Sequence, residues 1–334
     1  MPWRETPGQL ARARAERPVR VAGPDGELFG VLTPPAPEAP PRGLCSIHLT
    51  RPRSHRNRNW VEIARALAGL GATAFRFDYH GTGDSGGASA FLDPNRPHLG
   101  DVTAVIRHLR EHHGQRRFVL TGSCFDGRTA LSAFADEADA IEALLFIAAP
   151  VTSLEHLQAL KDSGKDLGHL WRALRNPENW RRLREPGRWR HMTGVLQRMT
   201  RPGGEPAGPP AVEPTAPRLH PVFVAHFEAL ARSRARALFL YGEQDAEFLT
   251  FQLALRDLWP RLAAEAAGRL EVEVWPGEVH GGFMQMDRQR EIVARSLEWL
   301  GAVVENTREP GSPAASDPAR WPARHRPEGA WTSP

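Results

Sequence analysis

Short runs of apolar, β-branched and aromatic residues alternate along this chain with stretches whose apolar positions recur every three or four residues. Runs of the first kind read as strands and stretches of the second as amphipathic helices, so the alternation predicts a mostly parallel sheet with helices on both faces. Residues 19–22 and 27–33, joined by Pro24-Asp25-Gly26, form an expected opening hairpin. Further strands are expected at 43–49, 72–79, 117–121, 141–148, 237–241 and 270–275, which brings the sheet to eight. Helices are expected at 60–70, 99–112, 126–135, 247–262 and 288–300.

Two segments break this rhythm. Residues 151–217 carry helical patches followed by a Pro/Gly-rich run from 202, the pattern of an inserted lid with a flexible strap. Residues 306–334 turn to Pro, Ser, Ala and Arg, too little apolar area to offset ordering, and read as a disordered tail. The expected organisation is therefore an extension at 1–17, one core built from 18–150 and 218–305, the lid at 151–217, and the tail. No repeat of solenoid or propeller period is present.

Composition narrows the function classes. With 334 residues and 41% hydrophobic content, one large core can form. The first twenty residues are Arg-rich without an apolar core, and no run of eighteen apolar residues follows, so neither an export signal nor a membrane span is expected. Two cysteines, Cys45 and Cys124, suit a reducing compartment and predict a cytoplasmic location. The net charge of +4 is carried almost wholly by arginine, Lys161 and Lys165 being the only lysines, and no basic stripe interleaved with aromatics marks a nucleic-acid surface. Residues 170–201 hold nine arginines against Glu178 and Glu185, a pattern that reads as a solvated helical face. Trp171 and neighbouring apolar residues there read first as packing of the lid on the core.

The segment Phe118 to Leu131, FVLTGSCFDGRTAL, leads three apolar strand residues into Gly122-Ser123-Cys124-Phe125-Asp126-Gly127 and then a helical pattern. It resembles the nucleophile elbow of the α/β-hydrolase superfamily, where G-x-nucleophile-x-G forces a strained turn between strand and helix. In that frame Cys124 is the nucleophile. Reading Ser123 instead puts Thr121 before it and Phe125 after it, neither of them small. Asp126 departs from the small residue usual two places on, a close approach that Gly127 then has to provide.

That resemblance implies a chain order of nucleophile, acid, histidine. ALFLYGEQDAEF resembles the strand-plus-acid segment, with Asp245 in the acid position and Glu243 and Glu247 as fallback acids. LEVEVWPGEVHGGFM resembles the last strand and histidine loop, with His280 as the base. A thiol needs such a neighbouring base to become thiolate, and a carboxylate behind the imidazole fixes its tautomer. The resemblance also implies an oxyanion hole from the backbone N–H of Phe125 and one from the loop CSIHLTRPRSHRNRNW, where Thr50 is the first choice and Leu49 the alternative. Leu49, Arg53, Arg56 and Trp171 are candidate substrate contacts. FRFDYHGTGDSGG resembles the loop after the fourth strand in serine aminopeptidase-like and dienelactone hydrolase-like members, and its Asp78, Asp84 and Ser85 are expected to bond local backbone rather than to catalyse.

Together these readings predict a hydrolase of a small-molecule carboxylic ester or thioester, the substrate acidic or carrier-bound, working through an acyl-cysteine and needing no cofactor or metal. An acyltransferase using the same acyl-enzyme is the first alternative. A hydrolase-like binding protein without turnover is the second.

Overall fold

The computed structural model describes residues 15–54, 58–88, 97–153, 155–157, 219–266 and 268–307. Most of the expected lid and tail, and the candidate contacts Arg56 and Trp171, lie outside the described residues. The opening hairpin is β1 (Arg17–Gly23) and β2 (Gly26–Thr33), paired antiparallel. After it come β3 (Leu44–Leu49), α1 (Asn59–Gly69), β4 (Thr73–Phe77), α2 (Leu99–His113), β5 (Arg117–Ser123), α3 (Phe125–Glu137) and β6 (Ile141–Ile147). Further along the chain follow α4 (Pro221–Arg232), β7 (Arg236–Gly242), α5 (Ala246–Asp257), α6 (Trp259–Ala266), β8 (Leu270–Trp275) and α7 (Met286–Asn306).

Among the described residues the sheet has eight strands in the order β1-β2-β4-β3-β5-β6-β7-β8. β2 meets β4 antiparallel and every later pairing is parallel. The central strands are buried along their length, as a parallel sheet covered on both faces requires. One face packs an aromatic cluster, with Phe239 stacked on Phe146 at 4.5 Å and on Phe251 at 5.1 Å. The other packs Trp60, Ile63 and Leu67 of α1 and Trp299 and Leu300 of α7 over Leu44, Val119 and Leu145.

The structure departs from the expected elements in two places. The helix expected over 247–262 is two helices, because Pro260 lacks an N–H and restricts Trp259 before it. Helix α4 was not expected at all, although Pro221 in its first turn and buried Phe223, Phe227, Leu230 and Ala231 give it a helical stripe.

The loop from Asp78 to Gly87 clasps the sheet end. Ser85 Oγ donates to the Asp78 carbonyl at 2.6 Å and accepts from Phe29 N–H at 2.8 Å. Asp78 accepts from Arg53 N–H at 2.7 Å and Asp84 N–H at 3.2 Å, and is ion-paired with the Arg53 guanidinium. No described helix is long and apolar enough to cross a membrane.

Candidate active site

β5 ends in a turn that only particular residues can make. A Cβ on Gly122 would lie 2.6 Å from backbone atoms of Asp126 and Gly127, so glycine lets the first turn of α3 fold back on the strand. Cys124 then sits at φ 54°, ψ −129°, a strained conformation for a side-chain-bearing residue, costing on the order of 1–3 kcal/mol. It is held there by its N–H on Ile147 O at 2.8 Å and by Gly127 N–H on its own carbonyl at 3.1 Å. Gly127 supplies the close approach that Asp126 does not, since a Cβ there would lie 2.5 Å from Ala149 Cβ. Ala148, next to the elbow at the end of β6, is also at positive φ, 48°. The Cys124 side chain is half-buried at the helix N-terminus, where the peptide dipoles favour a thiolate. Cys45 lies in the core of β3, where burial pushes its thiol pKa upward.

The second part of the site comes from the ends of β7 and β8. The Asp245 carboxylate accepts from Gly242 N–H at 2.7 Å, Val279 N–H at 3.1 Å and His280 N–H at 3.0 Å, so it pins the histidine loop to the end of β7. Burial raises its pKa, against the pull of the backbone N–H groups. The imidazole itself faces a different acid. His280 Nδ1 lies 3.5 Å from Oε1 of Glu247, a residue only 1% exposed in its side chain. Asp245 was expected behind this ring. Its short side chain at the N-cap position of α5 turns back onto backbone, whereas Glu247, in the first turn of that helix, reaches forward. The Cys124 sulfur, a His280 ring nitrogen and a Glu247 oxygen all lie within 4.8 Å of one another.

Cys124 and His280 line one cavity of about 440 Å³, within the usual range for a small-molecule site, with Glu247 buried behind the imidazole. Its lining combines the polar side chains of Thr50, Arg51 and Asp126 with the apolar ones of Phe125, Ile147, Phe283 and Met284. Thr50 and Phe125, the expected oxyanion donors, thus share the cavity with Cys124 and His280. Ser123 also reaches its lining. Leu49 is wholly buried in β3, away from the lining, and Arg53 is turned onto Asp78 and Asp84 in a neighbouring cavity. Sequence reasoning gave no role to Arg51 on the elbow, yet its Nη2 meets Asp126 Oδ1 at 3.1 Å. Burial raises the Asp126 pKa and the Arg51 charge opposes that rise.

Among the described residues, two groups stand close enough to hold a metal ion: Cys124 with Glu247 and His280, and His80 with His98 and Asp101. In the second, His80 Nδ1 and the His80 N–H already meet Asp101 Oδ2 at 2.8 and 2.9 Å.

Residues 54–185 match the family model described as serine aminopeptidase, S33. No curated protein matches the chain in sequence. Among solved structures, an esterase of Pyrococcus furiosus superposes with a TM-score of 0.55 at 15% identity, covering 90% of this chain and 95% of that one. A thermostable carboxyl esterase of Bacillus coagulans in complex with glycerol gives 0.53 at 13%, covering 87% and 99%. A serine hydrolase of Xanthomonas campestris, described as lacking a lid, gives 0.50 at 16%, covering 89% and 97%. In all, 1055 solved chains match, so this likeness fixes the architecture and leaves the chemistry to the site. The eight-stranded sheet, the strained turn after β5 and these structural likenesses together give this chain the α/β-hydrolase fold.

Proposed function

We propose that the protein hydrolyses a carboxylic ester or thioester through an acyl-cysteine on Cys124. The observation that carries the reading is the meeting of thiol, imidazole and carboxylate within 4.8 Å at a strained strand-to-helix turn. In this reaction His280 takes the thiol proton as the sulfur attacks the substrate carbonyl. A C–S bond forms, and the carbonyl oxygen becomes an oxyanion between the N–H groups of Phe125 and Thr50. The C–O or C–S bond to the leaving group breaks as His280 returns the proton to it. Water, deprotonated by His280, then attacks the thioester and releases the acid with the thiol restored. Glu247 holds the imidazole tautomer and balances its charge in both halves of the cycle.

The mixed polar and apolar lining favours a substrate that carries both apolar and polar groups. Among the structural neighbours, two are esterases by description, and a third, from Butyrivibrio proteoclasticus, has ferulic acid bound. They agree with ester chemistry on this fold.

An aryl ester assayed with and without an added amine or alcohol tests the reading. Turnover is expected to fall by at least about a thousandfold in Cys124→Ala and in His280→Ala. Mass spectrometry of the wild type stopped early should find the acyl group on the peptide containing Cys124. Product appearing only when the acceptor is present would turn the reading to acyl transfer. An active Cys124→Ala beside a dead Ser123→Ala would move the nucleophile by one residue and sink the cysteine mechanism.

A further inference from the structure

The sheet stops where the cavity begins. β3 and β5 stay in register through the pair Leu49 and Gly122, and beyond it the ladder ends. Thr50 and Arg51 then run into a loop, while Cys124 and Phe125 turn through the elbow into α3. The two amides assigned to the oxyanion, those of Thr50 and Phe125, therefore sit on segments that have left the ladder. Their separation must be set by something else, because an oxyanion hole works only when both donors stand about 3 Å from one developing charge.

One residue beyond each donor lies a charged side chain, and these two side chains meet. Arg51 Nη2 contacts Asp126 Oδ1 at 3.1 Å, with side chains 20% and 9% exposed. The guanidinium is steadied from a third element, lying 5.4 Å from the centroid of the Tyr79 ring, which is itself stacked on His98 at 4.5 Å. We propose that the Arg51–Asp126 pair is a strut that fixes the spacing of the two oxyanion donors, which makes both of them positioning residues for acyl transfer at Cys124.

Three considerations support the strut over a purely structural pair. Packing does not call for a charge at this position, because the close approach of helix to sheet is made by Gly127 against Ala149 and the buried Tyr79 hydroxyl beside Asp126 would be met equally by an amide oxygen. Burial works against the ionised form of Asp126, and a buried ion pair contributes little to stability compared with apolar side chains of similar size, whereas it does impose a geometry. Finally, the pair spans the gap that the ladder leaves open: one register step before its end, His48 Nδ1 and Thr121 Oγ1 bridge β3 and β5 at 2.9 Å, and Arg51 and Asp126 continue that bridging past the last strand residues.

The inference rests on the cysteine mechanism, and its test is separable from the test of that mechanism. In the full chain, kcat and KM for an aryl ester would be measured in Asp126→Asn, Arg51→Gln, the double variant and Arg51→Lys, with the melting temperature of each. The alkylation rate of Cys124 by iodoacetamide would be followed alongside, because that displacement develops no oxyanion. Each single change is expected to lower kcat about tenfold or more, a fraction of the hundredfold to thousandfold that deleting one donor costs, with KM and alkylation changed less than about twofold. The double variant should be no slower than the worse single, and Arg51→Lys should recover part of the loss. Losses that multiply in the double variant, an unchanged kcat in Asp126→Asn, or an effect on KM alone would overturn the strut. If Asp126→Asn gives little soluble protein, Arg51→Lys decides through the same split between kcat and KM. An active Cys124→Ala would sink the mechanism itself, whereas a dead Cys124→Ala beside a fully active Asp126→Asn would sink only the strut.

Discussion

At the residue scale, the proposed mechanism gives the two carboxylates near His280 separate tasks, and their removal should separate as well. Glu247 faces the imidazole at 3.5 Å, so Glu247→Gln is expected to lower kcat by about a hundredfold or more while leaving the melting temperature close to wild type. Asp245 accepts from three amides that join β7 to the histidine loop, and Asp245→Asn should weaken all three. That change is expected to cost about 2 kcal/mol, several degrees in Tm, with any loss of rate following the loosened loop. Thermal melts and steady-state kinetics on the two variants check this, and a larger kcat effect for Asp245→Asn at unchanged Tm would reverse the assignment. The same pair shows where the sequence stops being informative. Cys124 and His280 stand out because a glycine-bounded turn and a glycine-flanked histidine are distinctive, and the fold brings them together. Glu243, Asp245 and Glu247 lie within five residues of each other, and which of them meets the ring depends on the start of α5 and on one methylene of side-chain length, neither of which spacing encodes. Arg51 was hidden for a similar reason, as one arginine among several in its loop, with its partner 75 residues away.

At the scale of elements, β3 carries a group that ties stability to pH. His48 is fully buried, stacked on Trp60 at 5.1 Å, and its pKa is lowered to about 3, first by burial and then by the Arg76 charge. His98 beside Tyr79 is lowered to about 4 by burial, with Arg51 adding to it. For both, the unfolded chain takes up a proton near pH 6.5 and the folded chain does so only at much lower pH. Stability is therefore full above about 6.5 and is lost as pH falls toward the folded values. At pH 5 the His48 contribution alone is a loss of about 2 kcal/mol. Urea midpoints between pH 7 and 5 should fall accordingly, and in His48→Gln the fall should shrink by about that amount; an equal slope in both proteins would show that His48 does not carry it. The parallel strands were the most legible elements, because buried β-branched and aromatic runs bounded by turns admit few other readings. Helix α4 was missed because its apolar stripe closely follows a Pro/Gly-rich run of sequence. The break between α5 and α6 was missed because the apolar periodicity runs on through Pro260, and the backbone chemistry of proline overrides it.

At the scale of the molecule, sheet order leaves β1 and β8 as the two outer strands among the described residues. Each bears the marks of a margin that discourages further pairing. β1 reads Arg17-Pro18-Val19-Arg20, with a proline that cannot donate and two charges. β8 alternates glutamates with apolar residues, and those glutamates are engaged: Glu271 accepts from Trp299 Nε1 at 3.1 Å, and Glu273 accepts from Trp275 Nε1 at 2.5 Å and Arg295 Nε at 2.7 Å. Exchanging both for valine would turn LEVEVW into an uninterrupted apolar ribbon with one open side, the kind of template on which chains add to one another. The double change Glu271→Val with Glu273→Val should send much of the expressed protein into aggregates, measured by sedimentation and by light scattering on gentle heating, whereas the same change to glutamine should leave it dispersed. If the valine variant stays dispersed, the open side of β8 is protected by something other than these two polar side chains. If it aggregates, the two glutamates that anchor α7 to the sheet serve a second purpose as well, keeping neighbouring copies from joining edge to edge in a crowded solution.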